Sequence, residues 1–326
     1  MKSSSTMHAR QRARRPQHAL IALVVTLILI ALGIGLSTWQ FVVVVALSKG
    51  LAALGLVLLL RCGLVSFGQG LYYCAGAYAV GMAMSHLGIR DLVPLLLLAT
   101  VSAAVIAALL GVLLSRYRDI FFAILTLAFT MILYGLLIRN PVLGGSDGFN
   151  VQSPTFFLLA DGALSRRTMF IITAVVVGVS IWAVQRFLAT PMGRLGPAMK
   201  DNEIRVEYLG ASARRNIFWN YTLAGALAGL GGGLTSFSIG HIDPDLAFWT
   251  TSGEFLFIAI LGGTRNAYAP FLGAIALELI RSLAFQYVPN SWQIVIGVSM
   301  LVIIIFLPGG LISIARLWLR SAARGA

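Results

Sequence analysis

The chain has 326 residues, of which 59% are hydrophobic and only 11% charged, with a formal net charge of +13 and a mean hydropathy of +0.90. Soluble domains carry roughly 25% charged residues, so this composition leaves no room for a sizeable soluble domain and predicts an all-α polytopic membrane protein. The positive charges gather in a few loops and at the termini, which is a signature of membrane topology and not of nucleic-acid binding.

Residues 1–18 form a basic, Ser- and Arg-rich tail ahead of the apolar run Ala19–Leu36. A cleaved signal peptide has an apolar core of roughly 7–15 residues. This run is longer and no small-residue cleavage site follows it, so it reads as a signal-anchor span with the tail in the cytoplasm. A spanning helix needs about 20 apolar residues, and such windows recur near 19–36, 41–60, 68–86, 93–114, 120–138, 168–187, 217–238, 251–262, 267–286 and 293–313. That is about ten spans. The window 251–262 is too short to cross alone and reads as a broken helix. With the tail inside, all but six of the 24 Lys and Arg (Lys49, Arg90, Arg139, Arg166, Arg167 and Arg281) fall in inside segments, the bias the positive-inside rule requires. Both termini are therefore expected in the cytoplasm, with one membrane domain over 19–315 and a second basic tail over 316–326.

Several polar residues stand out along these spans. Lys49 lies mid-span; it can snorkel, pair with Glu254 or Glu278, or meet a substrate carboxylate. Ser66 and Gln69 border the third span and suit either a polar path or interhelical hydrogen bonds. Cys62 and Cys74 sit in apolar sequence and suggest neither a disulfide framework nor a metal site. The outer loop 140–167 carries the turn-rich Gly144-Gly-Ser-Asp-Gly148.

The polar island 191–215 follows, and it is helix-capable. Read as one helix over 194–209, it places Leu195, Ala198, Met199, Val206 and Leu209 on one face. Ile204 stands opposite with Lys200, Glu203 and Glu207, and Gly210 serves as a left-handed cap. Such a segment can lie on lipid or dock a partner. In the next span Gly225, Gly229 and Gly233 recur every four positions, which suits a tight helix contact or a hinge. Thr251-Ser-Gly-Glu254 fits a capping box, while an intramembrane carboxylate is also a candidate pathway group. His86 and His241 are expected at outer span ends, with no companions for a metal or catalytic set.

Taken in order, these motifs resemble the LivM-type permease subunits of high-affinity branched-chain amino acid ABC importers. The resemblance rests on Gly63-Leu-Val-Ser-Phe-Gly-Gln69, Gly76-Ala-Tyr78, Phe122-Ala-Ile-Leu-Thr-Leu-Ala128 and Gly144–Gly148. It continues through Met199-Lys-Asp-Asn-Glu-Ile204, Ile242-Asp-Pro-Asp245, Ser252-Gly-Glu254, Leu261-Gly-Gly263, Pro270-Phe-Leu-Gly-Ala274 and Leu307-Pro-Gly-Gly-Leu311. It implies a permease domain in a bacterial inner membrane, with 191–215 as the coupling loop. Arg194, Lys200, Asp201, Glu203, Ile204, Glu207 and Gly210 would then contact an ABC ATPase subunit. A second LivH-like permease and a periplasmic substrate-binding protein are implied as further partners, beside membrane lipid.

The chain carries no Gly-x4-Gly-Lys-[Ser/Thr] sequence to cradle phosphates. ATP hydrolysis is therefore expected in another chain, and no cofactor is expected in this one. The alternative is an ion-coupled secondary transporter, which needs titratable groups near the midplane; Lys49, Glu254 and Glu278 are the candidates. An intramembrane enzyme would need a nucleophile–base pair or a metal cluster, and neither pattern is present.

Overall fold

A computed structural model describes residues 39–156, 165–307 and 309–313, together with Val24, Thr26 and Leu27. The remainder of the anticipated first span and both basic tails lie outside the described residues. The long helices are α1 (Gln40–Arg61), α2 (Gln69–His86), α3 (Leu92–Leu114), α4 (Asp119–Arg139) and α5 (Arg166–Ala189). Two short helices, α6 (Pro191–Asp201) and α7 (Glu203–Tyr208), lead into α8 (Ala213–Ile239), α9 (Trp249–Gly262), α10 (Ala269–Tyr287) and α11 (Trp292–Phe306).

Among the described residues six helices, α1, α3, α4, α5, α8 and α10, are long and apolar enough to cross a membrane, which makes this a multi-pass membrane protein. Each expected window from 41–60 onward holds a helix, and the window 251–262 is the short helix it was read as, while the first window lies outside the described residues except for Val24, Thr26 and Leu27. α9 has 14 residues and α11 has 15, or about 21–23 Å at 1.5 Å per residue, short of a hydrocarbon core about 30 Å thick. α2 opens with Gln69 and closes with Ser85 and His86, and much of it is buried by other helices. A helix screened from lipid needs no uniformly apolar surface.

The bundle is organised around α8, which packs on α1, α2 and α3. Lipid gives helices no hydrophobic reason to associate, so close backbone approach supplies the attraction. The glycines of α8 make that approach possible on several faces. Gly225, Gly229 and Gly233 meet Ala107, Ala103 and Ala99 of α3; Gly232 meets the Tyr73 carbonyl of α2; and Gly231 meets the Ser48 carbonyl of α1. α1 and α2 reciprocate, Gly55 facing Ala224 and Gly76 facing Gly229. The outermost faces are apolar and open. On α4 the buried residues Phe122, Thr126 and Thr130 are spaced by four, while Ile120, Phe121, Ile124, Ile132 and Leu136 are exposed.

The loop after α4 folds into two 3-10 turns and a two-residue strand, Phe149–Asn150, antiparallel to His241–Ile242 after α8. Phe149 pairs with Ile242, and the His241 ring contacts Asn150 Oδ1 at 2.9 Å. Gly148, at φ +67°, lies so close to the Ile242 carbonyl that a side chain there has no room. This small sheet fixes the α8–α9 connection, and with it the start of α9.

Candidate functional site

The structure brings four charges together from three helices. Lys49 of α1 donates to Glu254 Oε1 of α9 at 2.8 Å and to Glu278 Oε1 of α10 at 2.6 Å. Arg281 lies three residues after Glu278, hence on the same helix face. Its Nη2 lies 2.8 Å from Glu254 Oε1 and its Nη1 3.1 Å from Glu278 Oε1. Each cation therefore touches both anions, closing a neutral ring. The carboxylates and Lys49 are well buried, with Glu278 showing 9% of its side chain and Lys49 13%. The Nε of Arg281 is buried and makes no hydrogen bond.

Glu254 is not a helix cap. α9 begins at Trp249, two residues before the Thr251 that a capping box would need, and its N-cap position, Phe248, makes no side-chain cap bond. Thr251 instead donates to the Asp245 carbonyl at 2.9 Å, and Ser252 Oγ accepts the Gly70 N–H at 2.9 Å. Glu254 is thus more than a turn inside the helix, with its carboxylate taken by Lys49 and Arg281. Arg281 lies within the expected span 267–286, and from sequence it is assigned no role. The signal that could have placed it was its i,i+3 spacing from Glu278.

The ring borders a cavity of about 250 Å³. Its apolar walls are Phe41, Val45, Ile239 and Leu246, and its polar ones Tyr73, Thr235 and Thr251. The Tyr73 hydroxyl is hydrogen-bonded to Thr235. Ser66 and Gln69 do not line this cavity. Ser66 Oγ accepts the Gly68 N–H at 3.1 Å, serving the non-helical stretch before α2. The same stretch is held by α4: Thr126 accepts from Phe67 N and Thr130 donates to Phe67 O, both at 3.1 Å. Gln69 is fully buried, and its carboxamide makes no hydrogen bond.

A second candidate surface is the segment 191–210. It is two helices, not the single one its periodicity predicts. Thr190 caps α6 through Gly193 N at 3.3 Å, with Pro191 at the first helical position. Asn202 then turns extended (φ −163°) and caps α7, its Oδ1 accepting the Arg205 N–H at 2.8 Å. A short side chain that bonds locally to backbone competes with helix continuation. The break re-aims the second half: Met199 and Val206 are buried and Leu195 half-buried, whereas Ala198 and Leu209 are exposed. α7 ends in a Schellman turn, with Gly210 at φ +84°, Ala211 N bonding Val206 O at 3.3 Å and Gly210 N bonding Glu207 O at 2.9 Å.

Arg194, Lys200, Asp201, Glu207 and Gly210 are exposed, as is Ile204 at 67%; Tyr208 (88%) and Leu209 (81%) lie close behind Ile204 in sequence. Glu203 behaves differently. Arg118, just before α4, holds its carboxylate with two nitrogens, Nε to Oε2 at 2.8 Å and Nη2 to Oε1 at 2.7 Å. Glu203 therefore points toward its own chain, not outward as its position on one long helix predicts. α6 is also seated firmly. Gly196 faces Cys62 Sγ, Gly63 (φ +81°) faces Lys200, and Asn216 Nδ2 donates to the Met192 carbonyl at 2.7 Å.

Comparison with known proteins agrees with this arrangement of a helical membrane bundle and a structured polar loop. Residues 38–305 match the family described as branched-chain amino acid transport system, permease component. The chain is 29% identical to the high-affinity branched-chain amino acid transport permease LivM of Escherichia coli, over 92% of this chain and 72% of LivM. It is 27% identical to a probable branched-chain amino acid transport permease LivH of Methanocaldococcus jannaschii, over 74% of this chain and 78% of that protein. With the galactose/methyl galactoside import permease MglC of Haemophilus influenzae it shares 23% identity, over 65% of each chain. No solved structure matches the chain. With the match covering most of its length, the chain belongs to the family of permease components of branched-chain amino acid transport systems, and it resembles the LivM members of that family.

Proposed function

We propose that this chain is the membrane-spanning subunit of an ATP-driven importer in a bacterial inner membrane, passing branched-chain or other amino acids by alternating access. As a permease component it is a transport subunit and not an enzyme. ATP is hydrolysed by separate ABC ATPase subunits, with a second LivH-like permease and a periplasmic binding protein completing the assembly.

The observation that carries this reading is the α6–α7 segment. It is polar and sits between two spanning helices. It is anchored to the ends of α1 and α8, yet it leaves Ile204, Tyr208 and Leu209 open beside exposed charges. An exposed apolar group rimmed by charge marks a protein-contact surface. Coupling requires that the ATPase bind the two transport states differently, and a segment tied to two core helices can report that difference. The charge ring counts against ion coupling, because Glu254 and Glu278 are already neutralised by Lys49 and Arg281.

The test is uptake of labelled L-leucine and other amino acids into proteoliposomes holding the full complex. Uptake is expected to require ATP on the loop side and to survive collapse of ion gradients by ionophores. Uptake that ignores ATP and stops with ionophores would replace the ABC reading with an ion-coupled one.

A further inference from the structure

We infer that the ring of Lys49, Glu254, Glu278 and Arg281 is a binding site for a free, zwitterionic amino acid, which opens the ring by exchanging partners with it. The inference rests on the transport reading above and adds to it a location and a recognition chemistry.

A purely structural reason for the ring is weak on energetic grounds. Removing charges from water is costly, and well-packed apolar residues often stabilise a site as well as a buried ion pair does. Four ionised groups held inside a membrane bundle are therefore a functional signal. The ring also lies beside open space instead of being packed shut. The adjoining cavity holds about 250 Å³, and beside the four charges its lining joins apolar Phe41, Val45, Ile239 and Leu246 to the hydroxyls of Tyr73, Thr235 and Thr251.

The electrostatics select the ligand class. The ring is neutral, so a ligand of net charge would leave one charge uncompensated in a low-dielectric site. A zwitterion does not. Its carboxylate can take Lys49 and Arg281, including the Arg281 Nε that is buried without a hydrogen bond; its ammonium can take Glu254 and Glu278. In both carboxylates the ring contacts converge on Oε1. Each charge that gives up a ring partner gains a ligand partner of the same sign, so no ion is left bare. The apolar residues of the lining then offer contact to the ligand's side chain. A monopolar analogue breaks the ring on one side only and leaves two like charges without a partner. It should be rejected, as unpaired buried groups reject ligands elsewhere.

Site occupancy can be read in the assembled complex by thiol protection. Ile239 lines the cavity and is exposed, while the native Cys62 and Cys74 are buried. In an Ile239→Cys complex without binding protein, L-leucine is expected to slow labelling by a small thiol reagent. L-Leucinamide, lacking the carboxylate, and 4-methylpentanoate, lacking the ammonium, are expected not to. Adding Glu254→Gln or Arg281→Lys should raise the leucine concentration needed for protection by ten- to a hundredfold, the loss of one charge-assisted contact. Arg281→Lys keeps the charge and so guards against simple misfolding; complex yield and melting temperature are measured alongside.

Absence of leucine protection in a complex that transports leucine would overturn the site and leave the transport reading standing. Equal protection by all three probes, or protection unchanged in both ring variants, would also overturn it. A complex that transports no amino acid at all removes the transport reading itself. The site stands apart from that result, because protection by the zwitterion alone would still support it.

Discussion

Gly229→Ala tests the packing of the bundle at one position. An added Cβ would collide with Ala103 Cβ and lie 2.7 Å from the Ala99 carbonyl oxygen, where ordinary van der Waals contact begins at 3.4 Å. Neither neighbour is the free end of a long side chain, so α3 and α8 must separate, by about 0.7 Å to relieve the Ala99 carbonyl and by more to clear the closer Ala103 Cβ. That movement cannot stay local, because Gly225 and Gly233 meet Ala107 and Ala99 on the same helix pair. A gap of 0.5–1 Å forfeits a quarter to a half of each affected dispersion contact, and overpacking costs about 1–3 kcal/mol. The paired control is Gly135→Ala in α4, where an added Cβ meets nothing within 4 Å; there the loss of glycine should be neutral or stabilising by about 0.5–1 kcal/mol. Thermal unfolding of the purified complex should show Gly229→Ala melting well below the parent and Gly135→Ala at or above it. Adding Ala103→Gly to Gly229→Ala removes one of the two collisions and should recover part of the loss. Equal melting temperatures for Gly229→Ala and the parent would mean the glycines do not set the α3–α8 distance.

Three further outcomes are expected. Glu203→Arg places two like charges against each other at Arg118, so co-purification of the ATPase should fall; the charge swap Arg118→Glu with Glu203→Arg should restore it, and a swap no better than the single variant would show that Glu203 acts outward and not through Arg118. Ile204→Asp should leave the melting temperature within experimental error, since Ile204 is exposed, yet lower ATPase recovery at least tenfold; unchanged recovery would remove Ile204 from the docking surface. Asp243 lies in the loop after α8 with its Oδ1 buried and without a hydrogen bond, and burial, then the neighbouring Asp245, hold its carboxyl above the ordinary range. The folded state therefore favours the proton, and this group's contribution to stability falls as pH rises from the ordinary carboxylate value through the raised one. Asp243→Asn should match the parent in melting temperature at pH 4 and exceed it at pH 7.5, whereas a gap that shrinks toward neutral pH would contradict that sign.

The long apolar helices were readable because hydropathy and length decide them. The window 93–114 becomes α3 over Leu92–Leu114, and the short window 251–262 becomes the 14-residue α9. The need for a partner at Lys49 was also readable, since a charge in an apolar span requires one. So were its candidate partners, Glu254 and Glu278, the acids of the apolar spans; that Lys49 holds both at once, with Arg281 closing the ring, was not. Lys49 is separated from Glu254 by 205 residues and from Glu278 by 229, and only packing of α1 against α9 and α10 brings them together. The cap reading of Glu254 fails because the N-cap of α9 is Phe248, three residues before Thr251, which leaves the carboxylate free for the ring. Asn202 was misread differently. Apolar spacing continues across it, so the pattern of Met199 and Val206 hid a break that Asn202 makes by capping the next helix.

The two candidate surfaces share their supports. α1 carries Lys49 and, twelve residues further along, the Arg61–Gly63 end on which α6 rests, a separation of about 18 Å by helical rise. α8 carries Asn216, bonded to the Met192 carbonyl of α6, and Thr235 in the cavity wall. α1 and α8 cannot slide past one another cheaply, because Gly55 meets the Ala224 backbone and Gly231 the Ser48 carbonyl. A displacement of α6 is therefore delivered to both helices at one end and shared between them. At the other end it meets α9 and α10, which hold the remaining three charges of the ring. Moving α1 against α9 and α10 would stretch Lys49 away from Glu254 and Glu278. Under the proposed cycle a substrate that opens the ring loosens that contact, and ATPase closure at α6–α7 acts on it from the opposite side. On that proposal the two states would differ in their contacts at the ring, as alternating access requires.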